Sequence, residues 1–462
     1  MNRYVLNYIC LRSWWLIPYA YVRDGSDNMQ HLSEEEYSLL KRCDGKTDIE
    51  DSELLRSLLY MGLIREAKEG EATERFRMAR KYDNRYVPHM ALVLTTYCNF
   101  NCLHCYEAAD NEIIRMEMSF ENCKKIIDEA ESCGVLDFKI TGGEPMMHPR
   151  FIDIIQYIYD KGMHIRCIYT NGYFITPEML DRLQKIDPGM QFNISYDGAG
   201  FHDWMRGREG AEKGLLEKIR LCVDYGFQVR IATNVNRVNL PALHETLDKM
   251  EALGIWELRV LRTSESPRWQ HHAGDTTMPM DEYYDEMVEL CRYYASKERS
   301  MTLNMWQFAR VSSKDKTYSL TAVSCPSSEY SPYRPSCSTA RSYITIMPDG
   351  GIYPCTPSSG VYLAHNETFE NAFETGLKDI LQESRYLTAN CTGAHRIAEY
   401  DSKCGSCKFF RQCLGGCRVS ALELNNSLLA HDDFKCSFFE NRYDLKLKDA
   451  LEGYNCLIPV DD

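Results

Sequence analysis

The sequence predicts an α/β chain built round a partial (β/α)6 barrel of the TIM type, with a small winged-helix-like unit before it and a cysteine-rich unit after it. Three observations predict this. Between residues 88 and 261, short β-branched or aromatic runs alternate with longer amphipathic ones. The polar and glycine-rich segments of that stretch fall just after the predicted strands, where barrels carry their chemistry. Cysteines gather beside the first of those strands and again beyond residue 337.

The first unit is expected over residues 1–86. Aromatic strands lie between Val5 and Val22. Ser33 stands three residues before Glu36, a capping box that opens a helix with Tyr37, Leu39 and Leu40 on one face. Cys43-Asp44-Gly45 ends it. A second amphipathic run carries Leu54, Leu55, Leu58 and Leu59 and stops at Gly62.

The barrel is expected over residues 87–310, with strands at 90–96, 138–141, 165–170, 192–196, 229–234 and 256–261. Helices are expected at 121–132, 151–160, 177–185, 214–225 and 241–253. Several end at a glycine (Gly134, Gly162, Gly226, Gly254), which suits a left-handed residue just past a helix. One rim then collects the cysteine loop after strand one, Gly142-Gly143-Glu144-Pro145 after strand two and Asn171-Gly172 after strand three. Ser195-Tyr196-Asp197-Gly198 closes strand four, Asn234 closes strand five, and Arg259 and Arg262 flank the end of strand six. Each alone would pass for an ordinary turn.

The cysteine loop reads Cys98-x3-Cys102-x2-Cys105. Three thiolates at this spacing can hold three irons of a 4Fe-4S cube and leave one iron open. A cube closed by four cysteines is an electron carrier, whereas an open iron can accept a substrate's donor atoms and pass an electron into them. The competing reading is a structural zinc site, but zinc usually pairs cysteines two apart and closes with a fourth ligand. His104 sits between two ligand positions of the same tight loop and reads as a loop residue.

The third unit is expected over residues 311–450. It carries Cys337, Gly350 with Cys355 five residues on, Cys404-x2-Cys407-x5-Cys413-x3-Cys417 and Cys436. Its bland reading is a zinc ribbon built on Cys404 and Cys407.

A length of 462 residues suits about three domains. Lys and Arg number 53 against 67 Asp and Glu, a net charge of −14, which disfavours nucleic acid as the partner. The segment from Tyr4 to Val22 is broken by Arg12 and Pro18, and nowhere do 18 apolar residues run together. No export signal or membrane span is expected, and the 20 cysteines suit reduced, metal-binding thiols in a cytoplasmic protein. Cys43, Cys123, Cys133, Cys167 and Cys222 lie singly in helix- or strand-like runs and are expected in cores.

The loop Cys98-Asn-Phe-Asn-Cys102-Leu-His-Cys105-Tyr106 resembles the signature of the radical S-adenosylmethionine (radical SAM) enzymes. The resemblance implies that the open iron chelates the amino and carboxylate groups of SAM, whose reductive cleavage yields a 5'-deoxyadenosyl radical. It implies that Tyr106 packs beside the adenine. Gly142, Gly143 and Glu144 would meet the amino group, and Ser195 and Asp197 the ribose. Arg206 would meet the carboxylate, against a plain surface arginine at a helix start, and Asn234 is a further candidate.

The later cysteines resemble the seven-cysteine SPASM extension of peptide-modifying radical SAM enzymes. This implies two auxiliary 4Fe-4S clusters, three clusters in all. Cys404, Cys407, Cys413 and Cys436 would close one, and Cys337, Cys355 and Cys417 would hold the other. Cys325 is either the missing ligand of the second cluster or a buried thiol; without it that cluster keeps an open iron.

The first unit resembles the leader-binding domain of maturases of ribosomally made peptides, in which a leader adds a strand to an exposed sheet edge. Its alternative is a structural cap on the barrel. Together the resemblances imply hydrogen abstraction from a precursor peptide and closure of a thioether or carbon-carbon crosslink. The partners would be the leader-bearing peptide and an external one-electron reductant such as flavodoxin or ferredoxin. An anaerobic sulfatase-maturing (formylglycine-generating) enzyme shares the cysteine framework. That family has an aspartate after the cysteine equivalent to Cys355, where this chain has Thr356. A non-catalytic iron-sulfur carrier would need neither the open loop nor the cofactor rim.

Overall fold

Residues 2–23, 29–105, 115–337 and 342–461 are described in a computed structural model. The N-terminal unit holds β1 (Tyr4–Leu6), β2 (Ile9–Trp14), β3 (Ile17–Arg23), β4 (Met29–His31), helices Glu34–Arg42 and Glu53–Tyr60, β5 (Ile64–Glu66) and β6 (Arg80–Lys81). β1 pairs antiparallel with β5, and the other strands form a sheet in the order β4-β3-β2-β6. The capping box is formed: Glu36 N–H donates to Ser33 Oγ at 3.2 Å, and Ser33 N–H to Glu36 Oε2 at 2.7 Å. Its core, running from Tyr4 to Ile64 and including Tyr37, Leu40, Cys43, Leu55 and Leu58, is separate from that of the barrel.

An aromatic joint fastens this unit to the barrel. Trp14 packs on Tyr82 and Tyr86 at centroid distances of 5.4 and 4.6 Å. Its Nε1–H and the Asn84 Nδ2–H both donate to the carbonyl of Cys133, at 3.2 and 3.0 Å. Gly134 ends the helix at φ +76°, and a Cβ there would strike the rings of Trp14 and Tyr82 at 2.7 Å. Gly134→Ala should therefore cost about 1–2 kcal/mol for the left-handed backbone and about 1–3 kcal/mol more for overpacking. Gly162 has φ +77° with open space around it, so Gly162→Ala should lose only the first part. Thermal unfolding of the two variants checks this difference.

The barrel strands are β7 (His89–Val93), β8 (Asp137–Thr141), β9 (His164–Thr170), β10 (Gln191–Ser195), β11 (Gln228–Val235) and β12 (Glu257–Arg262). Each pairs parallel with the next. Helices Phe120–Cys133, Phe151–Asp160, Pro177–Ile186, Ala211–Asp224 and Leu243–Ala252 connect them. Every strand and helix expected from the βα pattern is present, with ends shifted by a few residues.

The parallel run extends past the expected six strands on both sides. β13 (Thr302–Met305) follows β12 in parallel, and β14 (Ala309–Ser312) and β15 (Thr317–Leu320) add antiparallel. On the other side β16 (Tyr343–Ile346) lies parallel to β7, with Tyr343 opposite His89, and pairs antiparallel with β17 (Ile352–Tyr353). β18 (Asn455–Cys456) joins β15, which completes a 12-stranded sheet. One apolar cluster spans Val87 to Leu451.

A second seam reinforces this continuity. Leu377 N–H donates to Glu129 Oε2 and Lys125 Nζ to the carbonyl of Phe373, both at 2.7 Å. Among the described residues, no helix is long and apolar enough to cross a membrane.

Candidate active site

β7 delivers the cysteine loop to the C-terminal rim of the sheet, and three neighbouring loops hold it there. From the second loop, Gly143 N–H donates to the carbonyl of Thr95 at 2.7 Å and Glu144 N–H to that of Tyr97 at 2.8 Å. A Cβ at Gly142 or Gly143 would collide with the Thr95, Thr96 or Tyr97 carbonyls. The two glycines thus let one backbone lie directly on another, a reason that holds with or without a ligand.

From β9, Asn171 places its Nδ2 3.8 Å from the Cys98 sulfur and 2.8 Å from Asn99 Oδ1. The segment beyond β10 makes the tightest clamp. Asn101 N–H donates to the carbonyl of Arg206 at 3.1 Å, Leu103 N–H to that of Met205 at 2.9 Å, and Arg208 Nη1 to that of Asn99 at 2.8 Å. Gly207, at φ +59°, has no room for a Cβ because the Asn101 carbonyl occupies that space.

Glu144 is fully buried. Its Oε1 accepts the Thr170 hydroxyl at 2.8 Å and the Met146 N–H at 3.2 Å, and its Oε2 accepts the Asn171 N–H at 2.8 Å. A carboxylate offers about four acceptor positions, so one remains on Oε2. Burial pushes this carboxyl up to about 7, against those three donors.

Asp197 and Arg206 form a buried ion pair, with Nε 2.7 Å from Oδ2. The pair is close but off hydrogen-bond alignment. Asp197 Oδ1 accepts the Asn234 N–H at 2.9 Å, and Arg206 Nη1 lies 3.8 Å from the Cys102 sulfur. Arg206 Nη2 is buried without a hydrogen-bond partner among the described residues. His202 accepts the Asp197 N–H at 3.2 Å, and burial together with the Arg206 charge holds it down to about 3, hence neutral.

Burial pushes the Cys98 thiol up to about 11 and also raises Cys102, which the Arg206 charge opposes. Ser195 closes β10 opposite Ala232, partly exposed on the same rim. Cys105 N–H closes the loop on the Cys102 carbonyl at 3.3 Å. Tyr106 lies outside the described residues.

His104 occupies the loop, as its position suggested, but its side chain is buried and its Nε2 lies 3.2 Å from Asn234 Nδ2. That contact, the Asn171 bridge and the Arg206–Arg208 clamp are site features that motif reading did not supply. The signal for Asn171 was its place on the common rim; the others carry none, because they depend on which loops meet.

In the C-terminal region Cys404, Cys407, Cys413 and Cys436 line one cavity of about 200 Å³ with Phe409, Phe410 and Phe439. Cys337, Cys355 and Cys417 lie within electrostatic reach of one another. Gly350 turns the β16/β17 hairpin between the first two at φ +85°, and Asp432 Oδ2 fixes Cys417 by accepting its N–H at 2.7 Å. No three His, Cys, Asp or Glu side chains among the described residues converge as ligands of a single metal ion. The Cys404 group instead lines a cavity wider than one ion, which suits a multi-iron cube better than zinc.

Comparison with known proteins agrees with this geometry. A radical SAM superfamily model matches residues 92–253, and an iron-sulfur cluster-binding SPASM model matches residues 337–408. An AdoMet-dependent heme synthase of Methanosarcina barkeri is 25% identical over 351 residues, 75% of this chain and 95% of that protein. The mycofactocin maturase MftC of Mycobacterium tuberculosis is 27% identical over 331 residues, 71% of this chain and 77% of that one. Streptococcus suis SuiB, solved bound to its precursor peptide SuiA, superposes with a TM-score of 0.66 at 16% identity. That match covers 94% of this chain and all (100%) of SuiB.

The family model that spans this rim makes the chain an iron-sulfur enzyme of the radical SAM superfamily. Within it, this chain is a radical SAM enzyme that carries a SPASM domain. Its cofactors are S-adenosylmethionine and 4Fe-4S clusters.

Proposed function

We propose that this enzyme abstracts hydrogen from a ribosomally made precursor peptide and closes a thioether or carbon-carbon crosslink in it. The observation that carries the reading is the union, in one chain, of the clamped three-cysteine loop with a separately cored N-terminal unit. The SuiB likeness spans 94% of the chain, that unit's share included, whereas the heme synthase likeness spans 75%. The sulfatase-maturing alternative lacks its aspartate, since Thr356 follows Cys355.

S-adenosylmethionine bound at an open cluster iron supplies a 5'-deoxyadenosyl radical. Cys98, Cys102 and Cys105 are the ligands of that cluster, as deprotonated thiolates. The Arg206 charge beside Cys102 favours that form, and its unpartnered Nη2 is a donor suited to the carboxylate of SAM. The free acceptor position on Glu144 suits the amino group. Asp197 keeps Arg206 in place, and Ser195, Asn234 and Tyr106 complete the nucleoside side. Cys404, Cys407, Cys413 and Cys436 hold one auxiliary cluster, and Cys337, Cys355 and Cys417 the other.

The winged-helix-like N-terminal unit binds the leader. Its β4 ends the four-stranded sheet, a free edge among the described residues. Flavodoxin or ferredoxin supplies the electron, and the enzyme works in the cytoplasm without nucleic acid or membrane. Mass spectrometry of the precursor peptide after anaerobic co-expression tests the whole reading: a loss of two hydrogens is expected, and an unmodified peptide despite SAM cleavage would refute it.

Removing residues 1–79, which retains Tyr82 and Asn84 on the barrel, should weaken leader-peptide binding at least about tenfold, or about 1.4 kcal/mol. Uncoupled release of 5'-deoxyadenosine should persist. Unchanged binding by fluorescence anisotropy would make the unit a structural cap.

A further inference from the structure

Cys337, Cys355 and Cys417 are three thiols for a cube of four irons. The fold directs a fourth towards them from a position that no spacing motif marks. Pro335 and Gly393 face each other in an antiparallel bridge, flanked by Ala394 N–H on the Arg334 carbonyl at 2.9 Å and His395 N–H on the Pro332 carbonyl at 2.8 Å. Cys337 lies two residues past Pro335 and Cys391 two residues before Gly393, so this bridge holds the two cysteine-bearing segments side by side.

Side chains point the same way. Cys391 caps the helix Arg385–Asn390. Asn390, buried, accepts the Tyr362 hydroxyl at 2.5 Å and donates to the Tyr386 carbonyl at 3.0 Å. Tyr362 lies within electrostatic reach of Cys355, Cys417 and Cys337, and Tyr386 within reach of Cys391, Cys355 and Cys337. Two buried tyrosines therefore link the Asn390-Cys391 corner to the same three thiols. Cys325 lies elsewhere: it packs with Cys404, Phe410 and Leu414, and its thiol donates to the Arg411 carbonyl at 3.2 Å.

We infer that Cys391 is the fourth ligand of the cluster held by Cys337, Cys355 and Cys417, its thiol proton passing to solvent as the sulfur binds iron. The inference rests on the assignment of those three cysteines to a cluster. A cube closed in this way relays electrons and offers no iron to the substrate.

The test uses the full chain with Cys98, Cys102 and Cys105 all replaced by alanine, which should keep about 8 irons in two auxiliary cubes. Its reduced electron paramagnetic resonance spectrum should not respond to cyanide. Adding Cys391→Ala should either open one iron, so that cyanide shifts one cluster's signal, or halve the iron content. Cys391→Ser should shift that signal without cyanide, and Cys325→Ala should change nothing.

Cys391 variants indistinguishable from the parent, a cyanide response produced by Cys325→Ala instead, or a Cys337–Cys391 disulfide in the parent would overturn the inference. A parent with only about 4 irons, unaffected by Cys355→Ala, would remove the three-cysteine assignment itself. That result is distinct from failure of Cys391 alone.

Discussion

Alanine at Cys98, Cys102 and Cys105 together should abolish 5'-deoxyadenosine formation while the protein keeps about 8 of about 12 irons. The reason lies in how separate the sites are. The barrel loop is held by Gly143, Glu144, Asn171 and the Arg206–Arg208 clamp, whereas the later cysteines are positioned by Asp432, the β16/β17 hairpin and an aromatic cavity. None of the supports of the later cysteines passes through the three substituted thiols. Anaerobic incubation with dithionite and SAM, read by chromatography, gives one answer, and iron analysis of the same sample gives the other. Retained nucleoside production would end the assignment of the open cluster to this loop.

Asp197→Ala should be the most damaging change outside the cysteines. It leaves Arg206 charged, buried and unpaired, a loss of about 3–5 kcal/mol when one member of a buried pair is removed. The Arg206 side chain also reaches Cys102, and its carbonyl anchors Asn101. Instability and loss of SAM cleavage should therefore appear together. Asp197→Asn keeps the acceptor for the Asn234 N–H and should recover part of the stability but not the charge balance. Chemical denaturation of the three forms gives the energies, and calorimetric titration with SAM separates a binding defect from a folding one. A stable Asp197→Ala protein that still bound SAM normally would contradict the role given to the pair.

The barrel was legible because its signals are local. Alternating runs, helix-ending glycines and the Ser33/Glu36 box are settled within a few residues, and the structure reproduces them. The common rim was legible for a related reason: in a βα repeat, chain order alone puts the segment after every strand on one face.

β13 and β16 escaped. Each is four residues long, too short for a period, and β16 lies in a Ser-, Pro- and Tyr-rich stretch where its neighbours argue against a strand. The glycines of the second loop were expected to meet the amino group of SAM; the surface they approach in the structure is the backbone before Cys98. The clamp by Arg206, Gly207 and Arg208 is a meeting of segments about a hundred residues apart, and no sequence pattern reports such a meeting.

The pairing of β16 with β7 has a consequence for how this protein can be divided. A fragment ending near residue 310 would strip β7 of its neighbour and bare the backbone donors and acceptors of a strand that is buried on both faces. Exposed apolar edges of that kind recruit other chains. The C-terminal region is thus less an appendage than the missing stave of the vessel, and the two have to be made, purified and inherited as one piece.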